Sequence, residues 1–143
     1  MTLGIGTDML DRILPITEEL SLRVLADEPD KFVRETMVLP LLEEATGIRV
    51  DIVFSFTPYE HEAIQRAKLV RIDDTQICFV SVEDLIIHKI FAGRARDIDD
   101  IRSIILKNPG FNSSYVLRWL QEFDTTFPEG DFVNRFNNIL SDK

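Results

Sequence analysis

The sequence predicts an α+β fold, in which a small β-sheet is flanked by helices and followed by a helical C-terminal part. Strand-like runs alternate with short helical patterns as far as residue 80, and apolar residues recur at helical spacing from Ser81 onward. Because 45% of the 143 residues are hydrophobic, the chain can bury one sizeable core. We therefore expect one domain, with an α/β core over residues 1–107 and a helical extension over 108–143 packed on it.

The first elements are predicted to be a strand, a helix and a second strand. Residues 1–6 form a strand-like or turn-like run, and apolar residues at helical spacing follow from Thr7 to Leu20. Thr7 is placed to cap this helix, and Pro15 is expected to shorten it or to make it restart. Residues 21–26 then alternate like a strand.

A β-hairpin is predicted after a brief helix that Asp27 or Asp30 would cap. Its arms are the runs TMVLPLLEE and GIRVDIVFSF, and its turn is Ala45–Gly47. In the second arm Asp51 interrupts a continuous apolar run, which is typical of a strand covered on both faces. A carboxylate is costly to bury there, so we expect Asp51 to be paired, to bind a metal or to lie at the open end of the strand.

A capped helix and a second hairpin are predicted next. Thr57 as N-cap, Pro58 at the first helical position and Glu60 three residues after the cap form a capping box. The runs LVRI and QICFV then form strands joined by a tight turn at Asp73–Thr75. The second run contains the one cysteine of the chain, Cys78, which is expected to be a buried and unreactive thiol.

Helices are predicted throughout the rest of the chain. Ser81 and Asp84 make a start that resembles a capping box for the first of them, and Gly93 supplies its left-handed end. Asp97 or Asp99 is expected to open the next helix.

The junction between these two helices carries a cluster of charged residues. Its members, which can converge at one helix end, are Lys89, Arg94, Arg96, Asp97, Asp99 and Asp100. One interpretation is structural, because aspartates at a helix N-terminus stabilise the helix dipole and arginines pair with them at the surface. The other interpretation is a site in which Lys89 presents its ammonium group to an anion.

Composition excludes several classes of function. A net charge of −9 argues against strong binding to nucleic acid or to an anionic membrane, because both depend on Lys and Arg. Two histidines and one cysteine cannot supply the usual zinc ligand sets, whereas carboxylates could hold magnesium. The sequence has neither an apolar run long enough to span a bilayer nor the pattern of a secretory signal, so a cytoplasmic location is expected.

An aromatic region and a basic run are both expected to have structural rather than binding roles. The aromatic-rich region from Phe111 to Phe136 is expected in the core rather than on a stacking platform for nucleic acid, because its spacing follows a helix face and few basic residues accompany it. A modest basic run is expected to be surface charge rather than a contact for an acceptor or a triphosphate. It consists of Arg66, Lys68 and Arg71.

Three segments, VDIVFSF, VSVEDLIIHK and AGRARDIDDI, follow one another in the chain. Their order resembles minimal nucleotidyltransferase-fold proteins of the kind found in bacterial and archaeal abortive-infection and toxin–antitoxin systems, from about Ile5 to Leu106. The resemblance implies a small mixed β-sheet flanked by helices. It also implies transfer of a nucleoside monophosphate from a nucleoside triphosphate, with acidic residues holding magnesium.

The resemblance further implies roles for individual residues. Asp51 matches the metal-binding acid on a central strand, Lys89 corresponds to a phosphate contact, and Asp97 has an orienting or pairing role; these three are the expected catalytic residues. Arg94 and Arg96 are expected to bind substrate together with Lys89. In this family two more acids usually come from a D-x-D motif on an early strand, after a Gly-Ser or Gly-Gly loop.

The beginning of the sequence departs from the family pattern. No such loop and no D-x-D motif precede the first helix, and Asp8 and Asp11 lie within that helix, so the metal role does not transfer to them. Asp51 alone is a poor magnesium site, because one carboxylate leaves the ion mainly to water and substrate. Magnesium is expected only if the missing acids lie upstream of a mis-assigned start codon or come from a partner chain.

Two functions therefore remain open. One is a nucleotidyltransferase that uses a nucleoside triphosphate and is inactive or incomplete in this chain. The other is a non-catalytic interaction or antitoxin-like module with the same fold. The expected partners are the second protein of a toxin–antitoxin pair and a second copy of the chain, since a shortened fold would expose a sheet edge and an apolar surface.

Overall fold

The structure, a computed structural model, describes residues 2–6 and 9–141, without the side chains of residues 2 and 3. The chain divides into an N-terminal unit of residues 1–65 and a C-terminal unit of residues 66–143. The predicted α+β fold is confirmed, since the described residues form a four-stranded mixed sheet, a two-stranded sheet and several helices, and the C-terminal part is helical. No helix among them is long and apolar enough to cross a membrane.

The N-terminal unit contains a four-stranded sheet. Its strands are β1 (Thr2–Gly6), β2 (Leu22–Val24), β3 (Val38–Glu43) and β4 (Ile48–Ser55), and its helices are α1 (Leu10–Glu19), α2 (Pro29–Thr36) and α3 (Pro58–Gln65). The strand order is β1-β4-β3-β2, with β1 parallel to β4 and the other neighbours antiparallel. The predicted hairpin of β3 and β4 is confirmed, and Gly47 in its turn has a φ of 72°, a conformation that favours glycine.

One face of this sheet forms the core of the N-terminal unit. Val50, Ile52 and Phe54 of β4 are buried and pack with side chains of β3, α1 and α2. Asp51 and Val53 point to the opposite face, where they are only half-buried. The prediction of a strand covered on both faces is therefore wrong. Val53 made the run look continuously apolar, although it lies on the more open face.

The helix α1 continues through Pro15, contrary to the predicted interruption. Pro15 is exposed, whereas Ile13 and Leu14 pack against the core. This packing holds the helix across the position where proline removes a backbone donor. The predicted cap Thr7 lies outside the described residues, as does Asp8.

The predicted start is wrong for helix α2 and confirmed for helix α3. The cap of α2 is Glu28, not Asp27 or Asp30, because a proline at the first helical position fixes the backbone angle there. The predicted capping box of α3 is confirmed. The backbone N–H of Thr57 donates to Glu60 Oε2 at 3.0 Å, and the N–H of Glu60 donates to Thr57 Oγ1 at 3.2 Å.

The C-terminal unit consists of a hairpin followed by helices. Its elements are β5 (Lys68–Ile72), β6 (Thr75–Phe79), α4 (Val82–Ala92), α5 (Ala95–Lys107), α6 (Ser113–Thr126) and α7 (Phe132–Ser141). The predicted hairpin is confirmed as an antiparallel pair, and Asp73 in its turn has a φ of 52°. Every residue of β5 and β6 is exposed, so the prediction of a buried thiol at Cys78 is wrong. An apolar strand pattern does not by itself show that another element covers the strand.

The core of the C-terminal unit lies among its helices, where α4 packs on α5, α6 and α7. Its buried apolar residues are Ile86, Ile87, Ile90, Ile101, Ile105, Tyr115, Val116, Leu120, Phe132, Phe136 and Ile139. The core position predicted for the aromatic region is confirmed for Tyr115, Phe132 and Phe136. It is wrong for Phe127, which is 50% exposed just after the end of α6.

Candidate functional site at the α4–α5 junction

The junction of α4 and α5 places a buried carboxylate at the start of a helix. Gly93 ends α4 with a φ of 62°, as predicted. Arg94 is the N-cap of α5, so neither Asp97 nor Asp99 opens the helix. Asp97 instead occupies the third helical position, from which its carboxylate accepts a hydrogen bond from the backbone N–H of Arg94 at 3.3 Å. The carboxylate thus satisfies one backbone donor at the helix start.

Lys89 and Arg94 both bind this carboxylate. Lys89 Nζ lies 3.2 Å from Asp97 Oδ1 and 2.5 Å from Asp100 Oδ2. Arg94 donates from Nε to Asp97 Oδ2 at 2.7 Å and from Nη2 to Oδ1 at 3.3 Å, which makes a bidentate pair. The side chain of Asp97 is 1% exposed and that of Arg94 is 58% exposed. The carboxylate is therefore enclosed, while the guanidinium group remains open to solvent.

These contacts shift the pKa of each of the three groups. The hydrogen bonds from Arg94, with those from Lys89, outweigh burial and lower the pKa of Asp97 from 3.8 to about 2. The hydrogen bond to Asp100, together with that to Asp97, raises the pKa of Lys89. The bond to Asp97 likewise raises the pKa of Arg94. Asp97, Lys89 and Arg94 are consequently all charged at neutral pH.

Asp97 is expected to make the stability of the chain depend on acid pH. Its pKa is lower in the folded chain than the ordinary value of 3.8, so its contribution to the free energy of unfolding is fully present above about pH 4 and is lost as the pH falls through about 2. Denaturant titrations of wild type and Asp97→Asn at a series of pH values measure this contribution. The difference between the two proteins should be largest near neutrality and should shrink below about pH 4.

Asp99→Asn is the matched control for this prediction, because the Asp99 side chain is 80% exposed and forms only a surface pair with Arg102 at 3.4 Å. It should follow the wild-type curve over the whole range. A difference in the free energy of unfolding between wild type and Asp97→Asn that stays constant down to about pH 2 would contradict the pairing of Asp97 with Arg94 and Lys89.

The structure brings Lys89, Arg94, Asp97 and Asp100 together and leaves Arg96 apart. Arg96 is exposed and has no ion pair within the part of the chain that the structure describes. The structural interpretation of the cluster is therefore supported, since its charges are paired. It differs from the prediction in one respect, which is that the central aspartate is buried rather than solvated.

Asp51 lies in the N-terminal unit, in the middle of β4. Its side chain is 38% exposed, and Nη2 of Arg49, two residues earlier on the strand, lies 3.8 Å from its Oδ1. Its partners in register are Pro40 on β3 and Thr2 on β1. Because the carboxylate keeps more than a third of its surface exposed, it needs neither a buried partner nor a metal to offset desolvation.

The described residues around Asp51 do not fit a magnesium site. The β1 residues paired with Asp51 and Val53 are Thr2 and Gly4, so neither position supplies a carboxylate. Within residues 2–6 and 9–141, no group of three or more His, Cys, Asp or Glu residues is arranged to hold a metal ion. Magnesium prefers several hard oxygen ligands, and Asp51 would need additional ones from elsewhere.

A second buried charge cluster, which the sequence did not predict, joins the start of α4 to α6. Asp84 is fully buried, and its carboxylate accepts hydrogen bonds from Ser81 Oγ at 2.5 Å and from the Tyr115 hydroxyl at 2.9 Å. Arg66 Nε lies 3.4 Å from the same carboxylate, and the Arg66 guanidinium lies 3.8 Å from the centroid of the Tyr115 ring. Glu83 adds a second ion pair to Arg66 at 3.3 Å.

The sequence contained only the local half of this cluster. The capping role of Ser81 is confirmed, since its Oγ accepts a hydrogen bond from the backbone N–H of Asp84 at 3.1 Å. The expectation of surface charge is wrong for Arg66, which is 34% exposed in this cluster, and it holds for Lys68 and Arg71, which are exposed. Arg66 is distant from Asp84 in the sequence, so no helical spacing could have linked them.

A family model described as a nucleotidyltransferase of unknown function (DUF6036) matches residues 34–111. The matched segment covers more than half of the 143 residues and contains Asp51 and the whole α4–α5 junction. No curated protein matches the sequence.

Proposed function

Since the chain belongs to a family of nucleotidyltransferases of unknown function, we propose that it binds a nucleoside triphosphate and is related to enzymes that transfer a nucleoside monophosphate from it. In this proposal Lys89, Arg94 and Arg96 contact the triphosphate, and Asp97 orients the first two. Within the N-terminal unit, Asp51 would contact magnesium only if a partner chain supplied further ligands.

The unused hydrogen-bond donors of the junction support this proposal most strongly. Among the described residues, Arg94 binds Asp97 through Nε and one N–H of Nη2, which leaves three of its five N–H groups, and Lys89 uses two of its three donors on Asp97 and Asp100. Asp97 fixes both cations before any ligand arrives, which reduces the entropy lost on binding an anion. Phosphate oxygens are good acceptors for such charged donors.

Nucleotide titrations test this proposal directly. The chain should bind at least one of ATP, GTP, CTP and UTP in the presence of magnesium. Arg96→Ala should weaken that binding by about tenfold, which is the value of one charge-assisted hydrogen bond. This variant is informative because Arg96 has no ion pair among the described residues, so its removal leaves the junction intact.

Lys107→Ala is the matched control, because Lys107 is an exposed basic residue at the other end of the same helix. It should leave the affinity unchanged. Failure of the folded wild-type chain to bind any nucleotide at millimolar concentration would reject the proposal, as would equal losses in the two variants.

A non-catalytic interaction or antitoxin-like module is the second candidate. It is favoured by the pairing of Lys89 and Arg94 with Asp97 and Asp100, which leaves these four residues without net charge, and by the lack of a carboxylate on β1 beside Asp51. Incubation with an α-labelled nucleotide distinguishes the candidates. Label transfer with release of pyrophosphate supports the enzyme. Binding without transfer supports the module, for which we propose the second protein of a toxin–antitoxin pair as partner.

A further inference from the structure

The β5–β6 hairpin exposes an apolar face. Residues that pair across two strands lie on the same side of the sheet, and the pairs on one side are Val70 with Ile77, Ile72 with Thr75, and Lys68 with Phe79. Four of these six are large apolar residues, which we call the hairpin face. Its members, each 40–46% exposed, are Val70, Ile72, Ile77 and Phe79. The other side alternates with it and carries Leu69, Arg71, Gln76 and Cys78.

A surface of this kind favours association. A two-stranded hairpin is marginally stable alone in water and gains stability when its apolar side packs on another layer. Only one of the six residues on this side, Lys68, is charged, so little charge opposes burial of the hairpin face.

We propose that the hairpin face packs against the hairpin face of a second copy of this chain, with the strands of the two hairpins antiparallel. Charge favours this occupant. The chain carries a net charge of −9, so most pairs of surfaces from two copies repel each other. Residues 68–80 carry two positive and two negative side chains and no net charge, and they allow two copies to meet without that repulsion. The charged residues are Lys68, Arg71, Asp73 and Asp74.

The positions of these charges also select the orientation. Lys68 lies at one end of the hairpin, and the turn with Asp73 and Asp74 lies at the other. Antiparallel packing brings the acidic turn of each copy over the Lys68 end of the other, whereas parallel packing would bring the two acidic turns together. The antiparallel arrangement also stacks Ile77 of one copy on Ile77 of the other, at the centre of the contact.

The size of the hairpin face predicts a reversible dimer. Packing of the two faces would bury on the order of 800 Å² in total, which is below the standard size for stable complexes and typical of weak association. The acidic chain and the neutral hairpin do not suit nucleic acid or an anionic membrane, which both attract positive surfaces.

Sedimentation of the full chain from low to high micromolar concentration tests the proposal. Wild type should change from monomer to dimer over this range, and Ile77→Lys should stay monomeric because it buries two charges at the centre of the contact. Leu69→Lys is the matched control, since Leu69 is 59% exposed on the other side of the same hairpin. It should dimerise like wild type. A wild-type monomer throughout, or equal disruption by both variants, overturns the proposal.

A second measurement does not depend on substitutions in the contact. Cys78 is the only cysteine, is exposed and lies on the side away from the hairpin face, so a spin label there leaves the contact intact. Pulsed electron paramagnetic resonance should give one intermolecular distance of roughly 25 Å or more, because stacked sheets lie about 10 Å apart and the labels point outward. The absence of an intermolecular distance, or a much shorter one typical of edge-to-edge pairing, overturns the proposal.

Discussion

Asp84→Ala is expected to lower the free energy of unfolding by about 3 kcal/mol, as is typical when one partner of a buried ion pair is removed. The carboxylate of Asp84 is fully buried and accepts hydrogen bonds from Ser81 and Tyr115, with Arg66 beside it. Its loss would take this acceptor away from the buried hydroxyls of Ser81 and Tyr115 and would remove one of the two carboxylates that Arg66 binds. Because Arg66 is 34% exposed and keeps its pair with Glu83, the loss should lie at the lower end of the range for buried pairs.

Denaturant titration monitored by circular dichroism measures this loss, and Tyr115→Phe provides the comparison. That variant removes one hydrogen bond to Asp84 and keeps the aromatic ring under Arg66, so it should lose only about 1 kcal/mol. The prediction is contradicted if Asp84→Ala is as stable as Tyr115→Phe or more stable. In that case the buried carboxylate does not hold this part of the C-terminal unit together.

Features fixed by neighbouring residues were predictable from the sequence. The two hairpins, the capping box of Thr57, the cap at Ser81 and the left-handed Gly93 each depend on residues within one turn or one hairpin loop. The convergence of Lys89 with Asp97 was predictable for the same reason, because a single glycine turn separates their helices. At these positions the local preference of the sequence agrees with the final fold.

Features decided by distant contacts were not predictable. The exposure of Asp51 depends on which side of β4 the helices cover, and the alternation of apolar residues could not show this because Val53 lies on the more open side. The exposure of Cys78 and the burial of Arg66 likewise depend on what packs against them. The continuity of α1 through Pro15 also depends on distant contacts, since packing of α1 on the core overrides the local penalty.

Replacement of both Thr2 and Gly4 by aspartate is expected to create magnesium binding beside Asp51. Residues 2 and 4 pair in register with Asp51 and Val53 on the parallel strand β4, so positions 2, 4 and 51 share one face of the sheet. A Cβ at Gly4 would meet only the side chain of Ile64, at 3.9 Å, which is an ordinary contact. Three carboxylates on this face would repel one another without a cation and would offer the hard oxygen ligands that magnesium prefers.

The double variant should therefore unfold at a lower temperature than wild type in a chelator and should recover when magnesium is added, because an ion that binds only the folded state stabilises it. Its magnesium affinity should exceed that of wild type by about tenfold or more. Asp51→Asn in the same background should remove most of this gain, whereas Asp11→Asn, an exposed acid on α1, should not. A gain that survives Asp51→Asn would show that Asp51 is not a ligand and would remove it from the proposed function. A gain in magnesium affinity that requires Asp51 would mean that β1 and β4 keep the geometry of a metal site and lack only the carboxylates on β1. This arrangement is expected of a nucleotidyltransferase fold that binds a nucleotide without transferring it.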